Sequence, residues 1–190
     1  MSVITATLAN NIGPPLRRWR VLNRIKQQAL AAELGVSQAK VSRWENGRSL
    51  PEGRDLQRIS TLLGAKPNTA ADGALLMLVE QSSVAVHLVC DITHRLLAVS
   101  PARALDWHVP VSELMNRPLW RFASGGIQRA EMKLADNGWY EPSGPDIVFE
   151  TERADFPELT IPESRVRISR LPLSDGRFVR LVRNDTGVPA

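Results

Sequence analysis

Apolar residues recur three and four positions apart over the first third of the chain, and at alternate positions over much of the last third. Leu16, Trp19 and Leu22, with Ile12 before them, mark one face of a helix over residues 14–23. Pro14 and Pro15 suit its first turn, where a missing N–H costs little. Leu30, Ala31 and Leu34 give a second helix over 27–34, stopped by Gly35, which is placed to take positive φ. Ser37 is an N-cap for a third helix over 38–46 that ends at Gly47. Pro51 opens a further helix with Leu56, Ile59, Leu62 and Leu63 inward, closing at Gly64. The pattern predicts a compact all-α unit of five helices over 12–66, preceded by a small, polar and loose segment at 1–11.

The texture then changes. Residues 65–73 read as a short linker, and 74–79 are continuously apolar, more than one helical face requires. Residues 84–89 and 95–99 look like paired strands around a turn at 91–94. Helical pieces over 101–139 are broken by Pro110 and Pro118. Residues 146–153, 165–171 and 178–183 alternate as strands, with Ser174-Asp175-Gly176 as a hairpin turn. Two strands, a helical middle and three strands predict an α+β unit with an antiparallel sheet.

Composition adds two constraints. One cysteine, Cys90, excludes an internal disulfide framework and a cysteine-rich metal site. No apolar run has the length of a membrane span, and the first residues carry no basic signal region, so a cytoplasmic protein is expected. The net charge of +4 is unevenly spread. Residues 1–68 hold 11 Lys+Arg against 4 Asp+Glu, and the remainder holds 13 against 16. Only the N-terminal third is built to meet a polyanion.

The third helix has what a major-groove reader needs. Gln38, Ala39, Lys40, Ser42 and Arg43 can face outward while Val41 faces the core. Glutamine can pair with adenine and arginine with guanine on their major-groove edges. Gln27, Arg48 and the early N–H groups of the second and third helices would grip phosphates. The expected DNA-binding set is Gln27, Ser37, Gln38, Lys40, Ser42, Arg43 and Arg48. Trp44 is read as packing, and Arg54 and Arg58 as surface charges.

Residues 12–66 resemble the phage-repressor-type (XRE/Cro) helix-turn-helix family. The resemblance rests on Arg20, Gln27, Leu30-Ala31, Leu34-Gly35-Val36-Ser37-Gln38, Val41-Ser42, Trp44-Glu45-Asn46-Gly47, Pro51 and Leu63-Gly64. It implies that Gln27 touches phosphate and supports Gln38, and that Arg20 and Glu45 form a buried ion pair joining the first helix to the third. Arg24 stands where a small loop residue is usual, and Gly53 where an apolar residue is usual.

Residues 83–187 resemble a PAS sensor domain, on residues 84–89, the turn at Asp91, residues 96–99 before Ser100-Pro101-Ala102, residues 111–120, residues 171–177 and Asn184-Asp185-Thr186. Ser100 stands where Asn is usual. The fold class is therefore α followed by α+β: a five-helix helix-turn-helix domain (12–66), a linker or dimerisation helix (67–82), and a PAS-like domain with an antiparallel sheet. PAS domains bind haem, flavin or small molecules, or only dimerise. His87, His94 and His108 do not fall in the 126–138 helix, where a PAS haem ligand is expected, and Cys90 lacks the motif of a light-oxygen-voltage flavin cysteine. Trp107, Trp120 and Trp139 either line an aromatic pocket or fill a core. No cofactor is named and no metal is expected.

The expected function is a sequence-specific, non-enzymatic transcription regulator of bacterial type. It binds double-stranded DNA as a homodimer on a palindromic operator, with the PAS-like domain for dimerisation, small-molecule sensing or a protein partner, and with no membrane partner. The alternatives are an antitoxin-like or co-regulatory interaction module and, least of all, a self-cleaving Ser-Lys repressor. The latter would have to use Lys133, the one lysine after residue 66, which no nucleophilic serine motif accompanies.

Overall fold

The computed structural model describes residues 12–141 and 144–185; the expected loose segment 1–11 and the end of the PAS-like segment at 186–187 lie outside them. Four helices occupy the first unit: α1 Gly13–Leu22, α2 Gln27–Leu34, α3 Gln38–Glu45 and α4 Gly53–Leu63. Their inward residues Leu16, Leu30, Val41, Trp44 and Ile59 are fully or almost fully buried. The α1–α3 crossing is close, since a Cβ on Gly13 would lie 2.3 Å from the Trp44 carbonyl oxygen. Gly35 takes φ 66° after α2, as its sequence position predicts. Ser37 Oγ accepts the Lys40 N–H at the start of α3. Gly53 has φ 50°, a value an apolar side chain would resist, which explains the departure at that position.

Residues 12–66 thus hold four helices, not the five expected; the next described helix lies beyond residue 66. It is α5, Ala70–Glu80, in the segment read as a linker. Polar chemistry starts it there: Thr69 Oγ1 accepts the Asp72 N–H, while Asp72 Oδ2 accepts the Thr69 N–H, a reciprocal capping box. α5 packs on the next two strands with Val79 buried, and leaves Met77 and Leu78 exposed.

The second unit has the PAS-like arrangement of two strands, a helical middle and closing strands. β1 Val86–Cys90 and β2 Leu96–Val99 form the first hairpin. Short helices α6 Pro101–Ala104 and α7 Val111–Leu114, a 3₁₀ turn at Leu119–Phe122, and α8 Gly125–Met132 follow. Then come β3 Ile147–Thr151, β4 Ala154–Asp155, β5 Thr160–Ile161, β6 Ser164–Pro172 and β7 Phe178–Asn184. The main sheet is antiparallel in the order β2-β1-β7-β6-β3, and β4 and β5 make a separate two-stranded ribbon. Two residues per strand are too few for an alternation signal, so this ribbon is invisible in the sequence pattern.

The two units share a core. One cluster runs from Ile12, Leu16 and Trp44 through Leu63 and Ala65 to Leu88, Cys90 and Val179 of the sheet. Polar contacts stitch the same seam. The Ala65 N–H donates to Cys90 Sγ at 3.2 Å, and Arg177 Nε donates to the Leu62 carbonyl at 2.8 Å. The β6–β7 turn also meets α5, where Asp72 Oδ1 accepts both the N–H (3.0 Å) and the hydroxyl (2.9 Å) of Ser174.

Candidate functional site

The outer face of α3 is fixed from beneath by a chain of polar side chains. Arg20 Nε and Nη2 on α1 donate to the two oxygens of Glu45 at 2.6 and 2.9 Å, a forked ion pair. These hydrogen bonds raise the Arg20 pKa above its ordinary value. Its third donor, Nη1, reaches the Ile25 carbonyl at 2.9 Å and anchors the loop between α1 and α2. Gln27 Nε2 donates to Glu45 Oε2 at 2.8 Å, and Gln38 Nε2 donates to Gln27 Oε1 at 2.7 Å. The chain Arg20–Glu45–Gln27–Gln38 thus links the first residues of α2 and α3 and presents Gln38 on the exposed surface.

The expected DNA-binding residues are not equivalent in this frame. Ser37, Gln38, Arg43 and Arg48 are exposed, and Ser42 and Gln27 are half-buried. Lys40 turns aside: its Nζ pairs with Asp55 Oδ2 of α4 at 2.6 Å and sits 5.3 Å from the Trp44 ring centroid. Trp44 is 2% exposed and packs in the core. Arg58 donates to the Leu34 carbonyl at 2.7 Å, so it closes the end of α2 as well as carrying charge. Arg24 takes φ 56° in the turn after α1, with its side chain exposed.

Residues 12–72 match the family described as a helix-turn-helix domain. The N-terminal unit is a helix-turn-helix domain. Over 136 residues, 72% of this chain, the sequence is 33% identical to "Repressor protein C2" of Salmonella phage P22. That match spans 59% of the repressor's own length. Among solved structures, the PAS domain of an HTR-like protein from Haloarcula marismortui aligns with 60% of this chain and 92% of its own, at 17% identity and TM-score 0.38. An RNA-binding light-oxygen-voltage receptor aligns with 95% of this chain and 60% of its own, at 11% identity and TM-score 0.43.

Against the sheet of the second unit lies a partly open cavity of about 130 Å³. Trp107, Trp120, Phe122, Leu159 and Val182 line it, while Trp139 is fully buried elsewhere in the core. The three tryptophans therefore divide, two to the cavity and one to packing. The Trp139 indole N–H donates to Asp91 Oδ1 at 3.0 Å. Asp91 is the centre of a buried ionic cluster that the sequence did not announce. It also accepts from Arg170 Nε at 2.8 Å and Arg180 Nη2 at 2.9 Å, and Arg180 Nη1 donates to Glu131 Oε2 at 2.6 Å. Burial disfavours the Asp91 carboxylate, but the charges of Arg180 and Arg170 outweigh it and hold its pKa below the ordinary value. Glu131 follows the same balance, with Arg180 overcoming its burial. The pairing of β6 with β7 sets Arg170 opposite Arg180, and two buried arginines so placed need the acid that Asp91 supplies; that register is not readable from the sequence.

His87 and His94 line the cavity, and His108 is exposed. His94 packs against Trp120 with the rings tilted by 49° and their centroids 4.7 Å apart. Cys90 is buried at the seam between the two units. Among the described residues, no group of three or more His, Cys, Asp and Glu side chains gathers as metal ligands, and no helix is long and apolar enough to cross a membrane.

Proposed function

We propose that this protein is a sequence-specific DNA-binding transcription regulator that acts as a homodimer on a palindromic operator. The observation that carries this reading is the exposed polar face of α3, with Gln38 and Arg43 outward, braced by the Arg20–Glu45–Gln27–Gln38 chain. A side chain reads a base edge only if its own position is fixed, and the chain supplies that fixity before DNA arrives. The similarity to a phage repressor supports the same role. Gln38, Ser42 and Arg43 are the proposed base readers; Gln27, Ser37, Lys40 and Arg48 are the proposed phosphate contacts.

The exposed Met77 and Leu78 of α5, with Val84 just beyond, supply an apolar surface for a second copy. Two recognition helices would then lie about 34 Å apart on one face of the duplex. The PAS-like domain sets this dimer geometry and senses a small molecule in its cavity.

Selection of binding sites from a random duplex library tests the reading. An inverted repeat with half-sites one helical turn apart is the expected result, and recovery of no enriched sequence would sink it. Arg43→Ala should cost about 1–3 kcal/mol at a single base position, read as lost discrimination at that position. Leu78→Asp should give a monomer by sedimentation and weaken operator binding with it.

A further inference from the structure

The cavity has an unbalanced charge. Its wall is mostly apolar and aromatic, with Trp107, Trp120 and Phe122 offering flat surfaces. Of the two arginines that line it, Arg180 is already neutralised by Asp91 and Glu131. Arg103 is not. It is 8% exposed, and its Nη2 donates only to neutral acceptors, the Ala85 carbonyl at 3.2 Å and Asn184 Oδ1 at 2.7 Å. The carboxylate nearest to it in an ion pair, on Asp106, is 4.0 Å from Nη1 and 38% exposed. Arg103 Nε is buried without a partner. Nη1 makes no hydrogen bond to any described residue.

His87 stands beside this guanidinium and also lines the cavity. Burial, aided by the Arg103 charge, lowers its pKa to about 3, so the imidazole adds no second positive charge at neutral pH. Its Nδ1 is buried without a partner. A buried cation whose one carboxylate neighbour is 4.0 Å away and part-exposed is costly, and with Nη2 taken by Ala85 and Asn184 it is Nη1 that stays open for a single charge-assisted contact to an anion. The space is close to the roughly 150 Å³ of an engineered apolar cavity that takes benzene. That space is large enough for one aromatic ring.

We infer that the cavity binds a small aromatic monocarboxylate, with its ring between Trp107, Trp120 and Phe122 and its carboxylate on Arg103, next to His87. The inference rests on the reading of the PAS-like domain as a small-molecule sensor and gives that sensor its ligand class. Leucine, valine and phenylalanine side chains on the wall give the ring no hydrogen bonds, so affinity comes from burial and selectivity from the charge.

Calorimetric titration of the full chain with benzoate and with its uncharged isostere benzamide tests this. Benzoate should bind at least about tenfold more tightly, the worth of one charge-assisted contact. Arg103→Gln should bring benzoate down to the benzamide level and leave benzamide unchanged. Ile127→Trp, which fills the cavity from α8, should abolish both. Circular dichroism reports whether each variant is folded, and if Arg103→Gln is not, the benzoate–benzamide ratio on the unmutated chain decides alone. Equal affinity for the two probes, or binding of neither, overturns the inference. Operator binding by the ligand-free protein, measured in parallel, separates the two failures. If it persists while benzoate shows no preference, only the ligand class is wrong; if it is absent, the regulatory reading falls as well.

Discussion

Lys40 and Arg43 sit on the same helix, within one turn of each other, and leave it differently. Arg43 is exposed, while Lys40 lies against Trp44 and pairs with Asp55. An exposed or half-exposed ion pair is worth little, about 0.2–1 kcal/mol, so Lys40 can be drawn off by a phosphate. On the proposed reading, Asp55 competes with the DNA backbone for Lys40. Asp55→Asn should tighten operator binding by about two- to fivefold and steepen the salt dependence by about one charge. Fluorescence anisotropy over a salt series measures both, and an unchanged slope would show that Lys40 never reaches phosphate. The Arg20–Glu45 pair and the Gln27–Gln38 contact could be expected from a sequence resemblance, since each residue type stands at its usual spacing. The Lys40–Asp55 pair could not, because helical periodicity places Lys40 outward and says nothing of a carboxylate 15 residues away on the next helix.

The hairpin of β6 and β7 joins partners from both units. Its strands contribute Arg170 and Arg180 to Asp91, which lies in the turn after β1. Its own turn reaches Asp72 of α5 and, through Asn23 Nδ2 to the Asp175 carbonyl at 3.2 Å, the end of α1. Asp91→Ala leaves the buried Arg170 without its carboxylate and Arg180 with Glu131 alone, and should cost about 3–5 kcal/mol, seen as a lower urea midpoint. The alternation of β6 and β7 and their Ser174-Asp175-Gly176 turn were legible from period and turn chemistry. The ionic centre was less so, because Asp91 reads as an ordinary turn residue until the register brings both arginines to it. α5 was placed in the sequence as an apolar segment; its Thr69–Asp72 cap is local, but the bond from Ser174 to Asp72 joins residues 102 apart, which no local pattern carries.

Asp72 also gives α5 a pH dependence. Burial raises its pKa, yet the hydrogen bonds from Ser174, Asn68 and Thr69 dominate and lower it from 3.8 to about 2. A depressed carboxylate contributes stability that is full above the unfolded value and is lost as pH falls toward the folded one. Urea stability should therefore hold from neutrality to about pH 4 and fall between pH 4 and 2, with Asp91 and Glu131 adding to the loss in acid. Asp72→Asn should lower stability at pH 7 and flatten the acid limb; an acid limb as steep as that of the unmutated chain would remove Asp72 from the account.

At the scale of the whole molecule, the helix-turn-helix domain and the sheet do not have separate interiors. A single buried cluster runs from Ile12 to Val179, crossing at Ala65 and Cys90. Thermal unfolding should accordingly show one transition by both tryptophan fluorescence and far-ultraviolet circular dichroism; two separated midpoints would mean that the seam is weaker than its packing suggests. The sequence hinted at two beads on a string, because linkers are read from composition and a shared interior is not. Such a seam limits how this protein can be recombined. Cut at residue 66, the DNA reader would carry away a torn apolar edge, and the sheet would be left with a matching one. A chimera that grafts this reader onto a foreign sensor would inherit that wound unless the β6–β7 hairpin travels with it. The unit of inheritance is thus the whole welded body rather than the helices of its N-terminal unit alone.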